Sequence, residues 1–161
     1  MSYPTEVPAQ LQWLTDRAAI TDLILDFARC VDDRDHERYV SNFLEDGQLV
    51  LPFHTAHGRD AILTMPTPPE SWKTHHHLGN IYIQIDGDVA TSRAYLTATH
   101  VFSDDRTDNA HAGGWYEHEV VRTPEGWRFR RVELVVVWEE AKPMMPADVG
   151  TSVARQTRWQ G

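Results

Sequence analysis

The spacing of apolar residues in this chain changes once, near Gly79, and that change constrains the fold more than any other feature. Before Gly79 the apolar residues recur at helical intervals, and after it they alternate with polar ones between turn signals. A period near 3.6 is typical of amphipathic helices, and a period of two is typical of strands with one buried face. Helices followed by strands predict an α+β domain in which a curved antiparallel sheet wraps around N-terminal helices.

The helical part contains one long pattern and two short ones. A helix is expected over 14–31, with Thr15 as its N-cap, because five apolar residues share one face: Ile20, Leu23, Ile24, Phe27 and Val31. A short helix is expected over 37–44 and a strand over 48–53. A third helix is expected to start at Ala61 and to end before Pro66, since proline breaks helices.

Four strands are expected after Gly79, over 80–85, 89–102, 114–122 and 127–138. Asp86 and Gly87 form a tight-hairpin signal, and the segment 124–126 is a second turn. The alternation of Val132, Leu134 and Val136 with their neighbours is expected to leave an apolar outer sheet face. Residues 65–74 are interpreted as an irregular flap and 142–161 as a tail.

Composition limits the class of protein and its partners. The chain has 161 residues, of which 41% are hydrophobic and 24% charged, so a single domain over 1–161 with its core at about 14–138 is expected. The net charge of -9 argues against nucleic acid, and the apolar runs are too short to cross a membrane. The single cysteine, Cys30, lies in an apolar stripe and indicates a reducing, cytoplasmic location.

Two groups of residues are candidates for chemistry. Asp32 ends the long helix, and His75, His76 and His77 precede a strand. A carboxylate at the end of a core helix and an imidazole at the start of a core strand can meet across a pocket and transfer protons. Alternation puts His75 and His77 on one face and His76 on the other, and either face can point inward. Because the ligand set is incomplete, no metal is expected.

Several short motifs together resemble the SnoaL-like branch of the NTF2-like superfamily over about 14–138. Within that branch the chain looks most like the group containing scytalone dehydratase, bile acid 7α-dehydratase and hexachlorocyclohexane dehydrochlorinase. The motifs that carry the resemblance are 31–32 (Val-Asp), 43–46 (Phe-Leu-Glu-Asp), 58–62 (Gly-Arg-Asp-Ala-Ile), 76–80 (His-His-Leu-Gly-Asn), 86–90 (Asp-Gly-Asp-Val-Ala), 114–116 (Gly-Trp-Tyr) and 126–129 (Gly-Trp-Arg-Phe).

The resemblance implies a cone-shaped α+β barrel in which an aspartate at the end of the first helix orients a histidine base. The matching positions here are Asp32, which follows the apolar Val31, and His76, four residues before Asn80. Asp33 is the competing carboxylate, but the next helical step rotates it away from the apolar stripe. No metal or cofactor is implied.

The chain departs from this group at one position, because the dehydratases carry a tyrosine shortly before the aspartate. This chain has Val31 next to Asp32 and Phe27 five residues before it. The replacement acid is left open among four residues, each of which can equally be structural: Tyr95, His111, Tyr116 and His118. Phe27, Tyr116 and Trp138 are the candidate substrate-binding residues, since aromatic lining suits a hydrophobic ligand.

The resulting hypothesis is a cofactor-independent lyase or isomerase, most simply a dehydratase, that acts on a small, hydrophobic and cyclic molecule. His76 would remove a carbon-bound proton while Asp32 holds the imidazole. The alternatives are a ligand-binding or association module without activity, and a polyketide aldol cyclase. A homodimer or homotrimer is expected, and the identity of the substrate stays open.

Overall fold

The computed structural model describes residues 4–65, 70–103, 105–106 and 108–141. The expected tail, 142–161, and the centre of the expected flap, 66–69, lie outside these residues. In chain order the elements are α1 (Val7–Asp33), α2 (His36–Ser41), β1 (Phe43–Leu51), β2 (His54–His57), α3 (Arg59–Leu63), β3 (Lys73–Asp86), β4 (Val89–Val101), β5 (Asn109–Thr123) and β6 (Gly126–Ala141).

The strands form one curved sheet in the order β2-β1-β6-β5-β4-β3, which confirms the α+β prediction. The meander from β3 to β6 is antiparallel, as predicted, and β1 pairs with β2 in the same way, whereas the sheet as a whole is mixed because β1 and β6 are parallel. The last strand of the meander returns beside the first strand of the chain and runs in the same direction. The sheet does not close, because β2 and β3 are its two edges.

The two hairpins that the sequence predicts are present. Gly87 and Asp88 connect β3 to β4, and Gly87 adopts the left-handed conformation that such two-residue loops require. Thr123 pairs with Gly126 across the turn between β5 and β6. The expected strand positions are therefore correct in outline, although the strands are longer than the alternation indicates.

The helix α1 begins at Val7, so the predicted start at Leu14 and the N-cap role of Thr15 were wrong. The hydroxyl of Thr15 donates to the Leu11 carbonyl oxygen one turn earlier, at 2.9 Å, within the helix. Pro8 lies in the first turn, where its fixed φ favours helix initiation. The expectation failed because the first turns of α1 have no face buried in the core.

Two further expectations change at strand boundaries. The helix α2 ends at Ser41, before the predicted end at Leu44, because Phe43 belongs to β1 and pairs with Phe129 of β6. Val132 and Val136 lie buried, and Leu134 packs partly buried against the core. The apolar outer face predicted from these three residues was therefore wrong, because Val132 and Leu134 pack in the main core and Val136 packs in a small separate cluster with Ala112 and Leu134.

A close approach at the Gly113–Gly114 pair shapes the end of the sheet near the C-terminal part of β6. The register between β5 and β6 shifts there, and Trp138 then pairs with Gly113. A Cβ on Gly113 would lie 2.2 Å from the indole nitrogen of Trp138, and one on Gly114 would lie 1.9 Å from the carbonyl oxygen of Val135. Only glycine allows this packing, which puts the Trp138 ring over β5.

A buried carboxylate, that of Asp16, attaches the middle of α1 to the sheet. The guanidinium of Arg122 donates to both of its oxygens at 2.6 and 2.7 Å, and the Trp127 indole N–H donates at 3.2 Å. The Arg122 guanidinium holds the pKa of Asp16 below its usual range, against the opposing effect of burial. Arg122 also pairs with Asp88, which is largely exposed.

Replacing Asp16 by alanine should lower the free energy of unfolding by about 2 kcal/mol, because a partly buried guanidinium and an indole N–H lose their acceptor. The matched control is Asp88→Ala, which removes the exposed partner of the same arginine and should cost less than about 1 kcal/mol. Urea denaturation of the three proteins measures both values. Equal losses in the two variants would contradict this account of the attachment.

The core also contains a neutral histidine. His118 is 2% exposed, its ring stacks on Phe129 with centroids 5.1 Å apart, and its Nδ1 lies 2.9 Å from the Ser92 hydroxyl. Nε2 has no hydrogen-bond partner within the part of the chain that the structure describes. Burial lowers the pKa of His118 to about 3, against a small opposing effect of Ser92.

This depressed pKa predicts how stability depends on pH. Since the folded value of about 3 lies below the unfolded value of about 6.5, the contribution of His118 to stability is complete above pH 6.5. It falls as the pH drops from 6.5 toward 3, by about 1.4 kcal/mol per pH unit. Urea unfolding from pH 7.5 to 5 should show a shallower pH dependence for His118→Asn than for the wild type. His75→Asn, at an exposed site, is the control, and equal slopes in all three proteins would refute the assignment.

Candidate functional site

Asp32 lies in the last turn of α1, where a negative charge is unfavourable because the C-terminal end of a helix dipole is itself negative. The helix ends at once after it, since Arg34 adopts the left-handed conformation with φ of 59°. Asp35 then caps α2 by accepting from the backbone N–H of Arg38 at 3.1 Å. The carboxylate of Asp32 therefore stands at the edge of α1 and needs donors from another element.

Those donors all come from β3. The Thr74 hydroxyl donates to Oδ1 at 2.8 Å, the backbone N–H of His76 donates to Oδ2 at 2.9 Å, and Nδ1 of His76 lies 2.6 Å from Oδ1. Burial alone would raise the pKa of Asp32, but these hydrogen bonds and the imidazole hold it at about 2. The carboxylate is thus ionised at neutral pH.

The ionised carboxylate determines which nitrogen of His76 carries the proton. Because a carboxylate only accepts hydrogen bonds, Nδ1 is the nitrogen that carries the proton in the neutral imidazole, and Nε2 is then the nitrogen with the free lone pair. The side chain of His76 is 8% exposed, whereas His75 and His77 are exposed on the opposite sheet face. Asp33, the competing carboxylate, is exposed and lies 3.9 Å from Arg29.

A second imidazole, which the sequence did not indicate, lies beside this pair. The rings of His76 and His100 have centroids 5.8 Å apart, at an angle of 67°. Burial, with a further contribution from His76, lowers the pKa of His100 to about 4, so His100 is neutral at pH 7. It can donate from one ring nitrogen and accept at the other.

A β-bulge explains why sequence reasoning missed His100. Counting back from the hairpin at Gly87, where Asp86 pairs with Val89, puts His100 opposite His75. The register shifts by one residue between Gly79 and Tyr82, so His100 pairs with Thr74 and shares the face of His76. A histidine in the predicted strand β4 was a signal that could have pointed to His100. The alternation of residues did not reveal the bulge that turns this side chain to the face of His76.

The aromatic candidates separate into two groups. Phe27 is 1% exposed and lies in the core, where it stacks on Tyr39 and meets Tyr116 edge to face at 5.3 Å between centroids. Burial raises the pKa of Tyr116, and the negative charge of Asp32 raises it further. Burial likewise raises the pKa of Tyr39. Both phenols are therefore protonated and can donate hydrogen bonds near Asp32.

The remaining candidates lie on other parts of the sheet. Trp138 and Tyr95 line a shallow trough of about 430 Å³ together with His77, on the outer face. His111 faces the same side and bonds to the Thr99 hydroxyl. His118 faces inward but is enclosed by the core. The structure thus brings His76, Asp32 and Tyr116 to one region, and it does not bring Trp138 there.

A small apolar cavity of about 160 Å³ adjoins the Asp32–His76 pair. Its walls come from α1, α2, β1, α3 and the start of β3, and include Cys30, Val31, Tyr39, Leu49, Ile62 and Thr74. Thr74 connects the cavity to the pair, because it lines the cavity and donates to Asp32. Burial, followed by the charge of Asp26, raises the pKa of Cys30 to about 11, so this thiol is a neutral wall residue.

A wider groove of about 590 Å³ lies elsewhere, between α1 and the start of β6. Its carboxylate, Asp26, is already engaged by Arg29 at 2.6 Å and by Arg38 at 2.8 Å. Among the described residues, no group of three or more His, Cys, Asp or Glu side chains is arranged to hold a metal ion. In the same residues no helix has the length and apolar character needed to span a bilayer.

Comparison with known protein sequences shows relatives in mycobacteria. Uncharacterised proteins of Mycobacterium tuberculosis and Mycobacterium bovis are each 31% identical to this chain over 130 residues. The aligned region covers 74% of this chain and 85% of each relative. The likeness therefore extends through most of both proteins.

Solved structures with the same arrangement include a candidate scytalone dehydratase from Novosphingobium aromaticivorans, with 26% identity and a TM-score of 0.69 over 82% of this chain and 91% of that one. A hexachlorocyclohexane dehydrochlorinase from Novosphingobium barchaimii has a TM-score of 0.72 over 84% of this chain and 95% of its own, but 19% identity, so it shows the fold alone. The SnoaL-like domain profile matches residues 12–133. The chain therefore belongs to the SnoaL-like domain family, as its sequence motifs indicate.

Proposed function

We propose that this protein is a cofactor-independent lyase or isomerase of the dehydratase type, in which His76 is the base that removes a carbon-bound proton. The observation that carries the proposal is the contact between Nδ1 of His76 and Oδ1 of Asp32, at 2.6 Å. A carboxylate in this position fixes the tautomer of the imidazole and stabilises the imidazolium that forms during proton transfer. An association module has no use for such a pair.

In the elimination the C–H bond and the bond to the leaving group break, and an N–H bond on His76 and a carbon–carbon π bond form. Nε2 of His76 takes the proton, the electrons of the C–H bond form a carbon–carbon double bond, and a hydroxide or halide leaves from the adjacent carbon. A leaving hydroxide needs a proton, which the His76 imidazolium can return to give water. In an isomerisation the same imidazolium returns the proton to a different carbon.

Hydrogen-bond donors near the pair support charge development on the substrate. If the C–H bond lies next to a carbonyl group, negative charge builds up on the carbonyl oxygen as the proton leaves. Tyr116 and Tyr39 keep their protons at neutral pH and can donate to such an oxygen. His100 is neutral and is suited to donating or accepting a hydrogen bond, not to supplying a positive charge.

The cavity favours a small and mainly apolar substrate. Its volume of about 160 Å³ is below the roughly 300 to 1,000 Å³ that is usual for drug-sized ligands. Apolar side chains supply most of the described wall, and Thr74 and Tyr39 supply hydroxyl groups. A single substituted ring, with an acidic C–H beside a carbon that carries a hydroxyl or halide, fits this description.

Other parts of the hypothesis stay predictions. They are the cytoplasmic location, which rests on the single cysteine, and assembly into a homodimer or homotrimer. The contact between Asp32 and His76 supports an enzyme over a module that only binds or associates. A polyketide aldol cyclase would use the same base, and the products of the reaction distinguish it, because a cyclase forms a carbon–carbon bond and an eliminating enzyme does not.

The role of His76 can be tested by exchange of substrate hydrogen with deuterated solvent. Hexachlorocyclohexane and a set of monocyclic β-hydroxy ketones are suitable probes, and mass spectrometry measures both exchange and elimination. His76→Ala should lower the rate by about 10² to 10⁴-fold, because it removes the general base. Asp32→Asn should also lower the rate, since the amide can hold the imidazole in the wrong tautomer.

The matched control is His75→Ala, which removes the neighbouring imidazole on the opposite sheet face and should leave the rate unchanged. Circular dichroism and urea unfolding of each variant show whether the fold is retained. Equal rates in the wild type, His76→Ala and Asp32→Asn would reject the pair as the catalytic group. A product with a new carbon–carbon bond would show that the reaction is a cyclisation and not an elimination.

A further inference from the structure

The solvent side of α1 carries an apolar stripe that stays exposed beside the parts of the chain that the structure describes. Exposure is 73% at Val7, 64% at Leu11, 57% at Leu14 and 45% at Leu25. All residues from Val7 to Thr15 are exposed except the half-buried Trp13. Because helical stability in proteins comes mostly from the packing of an amphipathic face, a partner on this stripe would stabilise the first turns of α1.

The spacing of the stripe is that of a coiled-coil seam. Successive intervals of four, three, four, three and four residues separate its members, which are Val7, Leu11, Leu14, Ala18, Thr21 and Leu25. Alternating intervals of three and four are the heptad pattern by which two helices pack side by side. The buried residues Ile20 and Ile24 face the domain core, so a second helix can approach the stripe without displacing the core.

The charged residues beside the stripe favour a second copy of this chain as the partner and a parallel orientation of the two helices. With Leu11, Ala18 and Leu25 at heptad position a, Arg17 is at position g and Asp22 at position e. In a parallel pair each g residue lies near the e residue five positions later on the other helix. Arg17 of one chain therefore meets Asp22 of a second copy, and the reciprocal pair forms by symmetry.

An antiparallel pair gives no such match. There g positions face g positions and e positions face e positions. The g positions are Gln10, Arg17 and Ile24, and the e positions are Pro8, Thr15 and Asp22, so neither row offers opposite charges.

We propose that the exposed stripe of α1 is a homodimer interface, in which the helices of two copies of this chain pack in parallel through Val7 to Leu25. The interface is less than three heptads long, and one a position is Ala18 and one d position is Thr21. The dimer should therefore dissociate on dilution through the micromolar range, and this interface is independent of the Asp32–His76 pair.

Cysteine cross-linking tests the contact and its direction together. In a parallel pair, residues at positions a and d face their own copies on the partner helix. Leu11→Cys and Leu25→Cys should therefore each form a disulfide-linked dimer under mild oxidation. The wild type, whose single cysteine is buried, and Ala19→Cys, exposed beside the stripe, should not. If either Leu11→Cys or Leu25→Cys fails to cross-link, the parallel interface is wrong.

Charge reversal gives an independent readout. Arg17→Glu puts two acidic side chains opposite each other and should raise the dimer dissociation constant about tenfold in sedimentation experiments. The double variant Arg17→Glu with Asp22→Arg restores opposite charges and should recover the wild-type value. Failure of the double variant to recover dimerisation, with an unchanged helical circular dichroism signal, would contradict the proposed pairing.

Discussion

The contact of the Asp32 carboxylate with β3 is the interaction on which the geometry of the candidate site depends. Asp32 stands at the negative end of α1 and would be destabilised there without compensation. Two donors of His76 and the hydroxyl of Thr74 provide that compensation, and they join the end of the helix to the start of an edge strand. The same hydrogen bonds keep Asp32 ionised and select the tautomer of His76. They also hold Thr74, which lines one side of the cavity.

The environment of this pair combines groups of different charge. Asp32 is ionised, with a pKa of about 2, while burial keeps His100 neutral, with a pKa of about 4. Tyr116 and Tyr39 retain their protons. A fixed negative charge behind the imidazole, with neutral donors around it, suits proton abstraction from carbon because positive charge develops on His76 during the step. The adjoining cavity is apolar and small.

Much of this arrangement was predictable from the sequence. The change of period near Gly79 gave the fold class, and the turn at Gly87 gave the hairpin. Asp32 and His76, which lie in contact, were identified from the family resemblance, because alternation alone left open which face of the histidine strand points inward. The change of period and the turn are local features, which spacing along the chain is sufficient to place.

The features that were not predictable depend on register or on packing between distant segments. One bulge in β3 brings His100 to the face of His76, and another between β5 and β6 carries Trp138 to the outer face. The parallel pairing of β1 with β6 joins segments about eighty residues apart along the chain. The early start of α1 was missed because the apolar residues of its first turns, Val7, Leu11 and Leu14, lie on the exposed side of the helix and not on the stripe that packs in the core.

Nitrogen-15 NMR of the His76 imidazole tests the central claim most directly. In the neutral imidazole of the wild type, Nδ1 is expected to carry the proton and Nε2 to be unprotonated. Asp32→Asn is expected to change this tautomer, and His75→Ala is not. A wild-type spectrum with the proton on Nε2 and none on Nδ1 would contradict the account, because His76 would then have no free base directed away from Asp32.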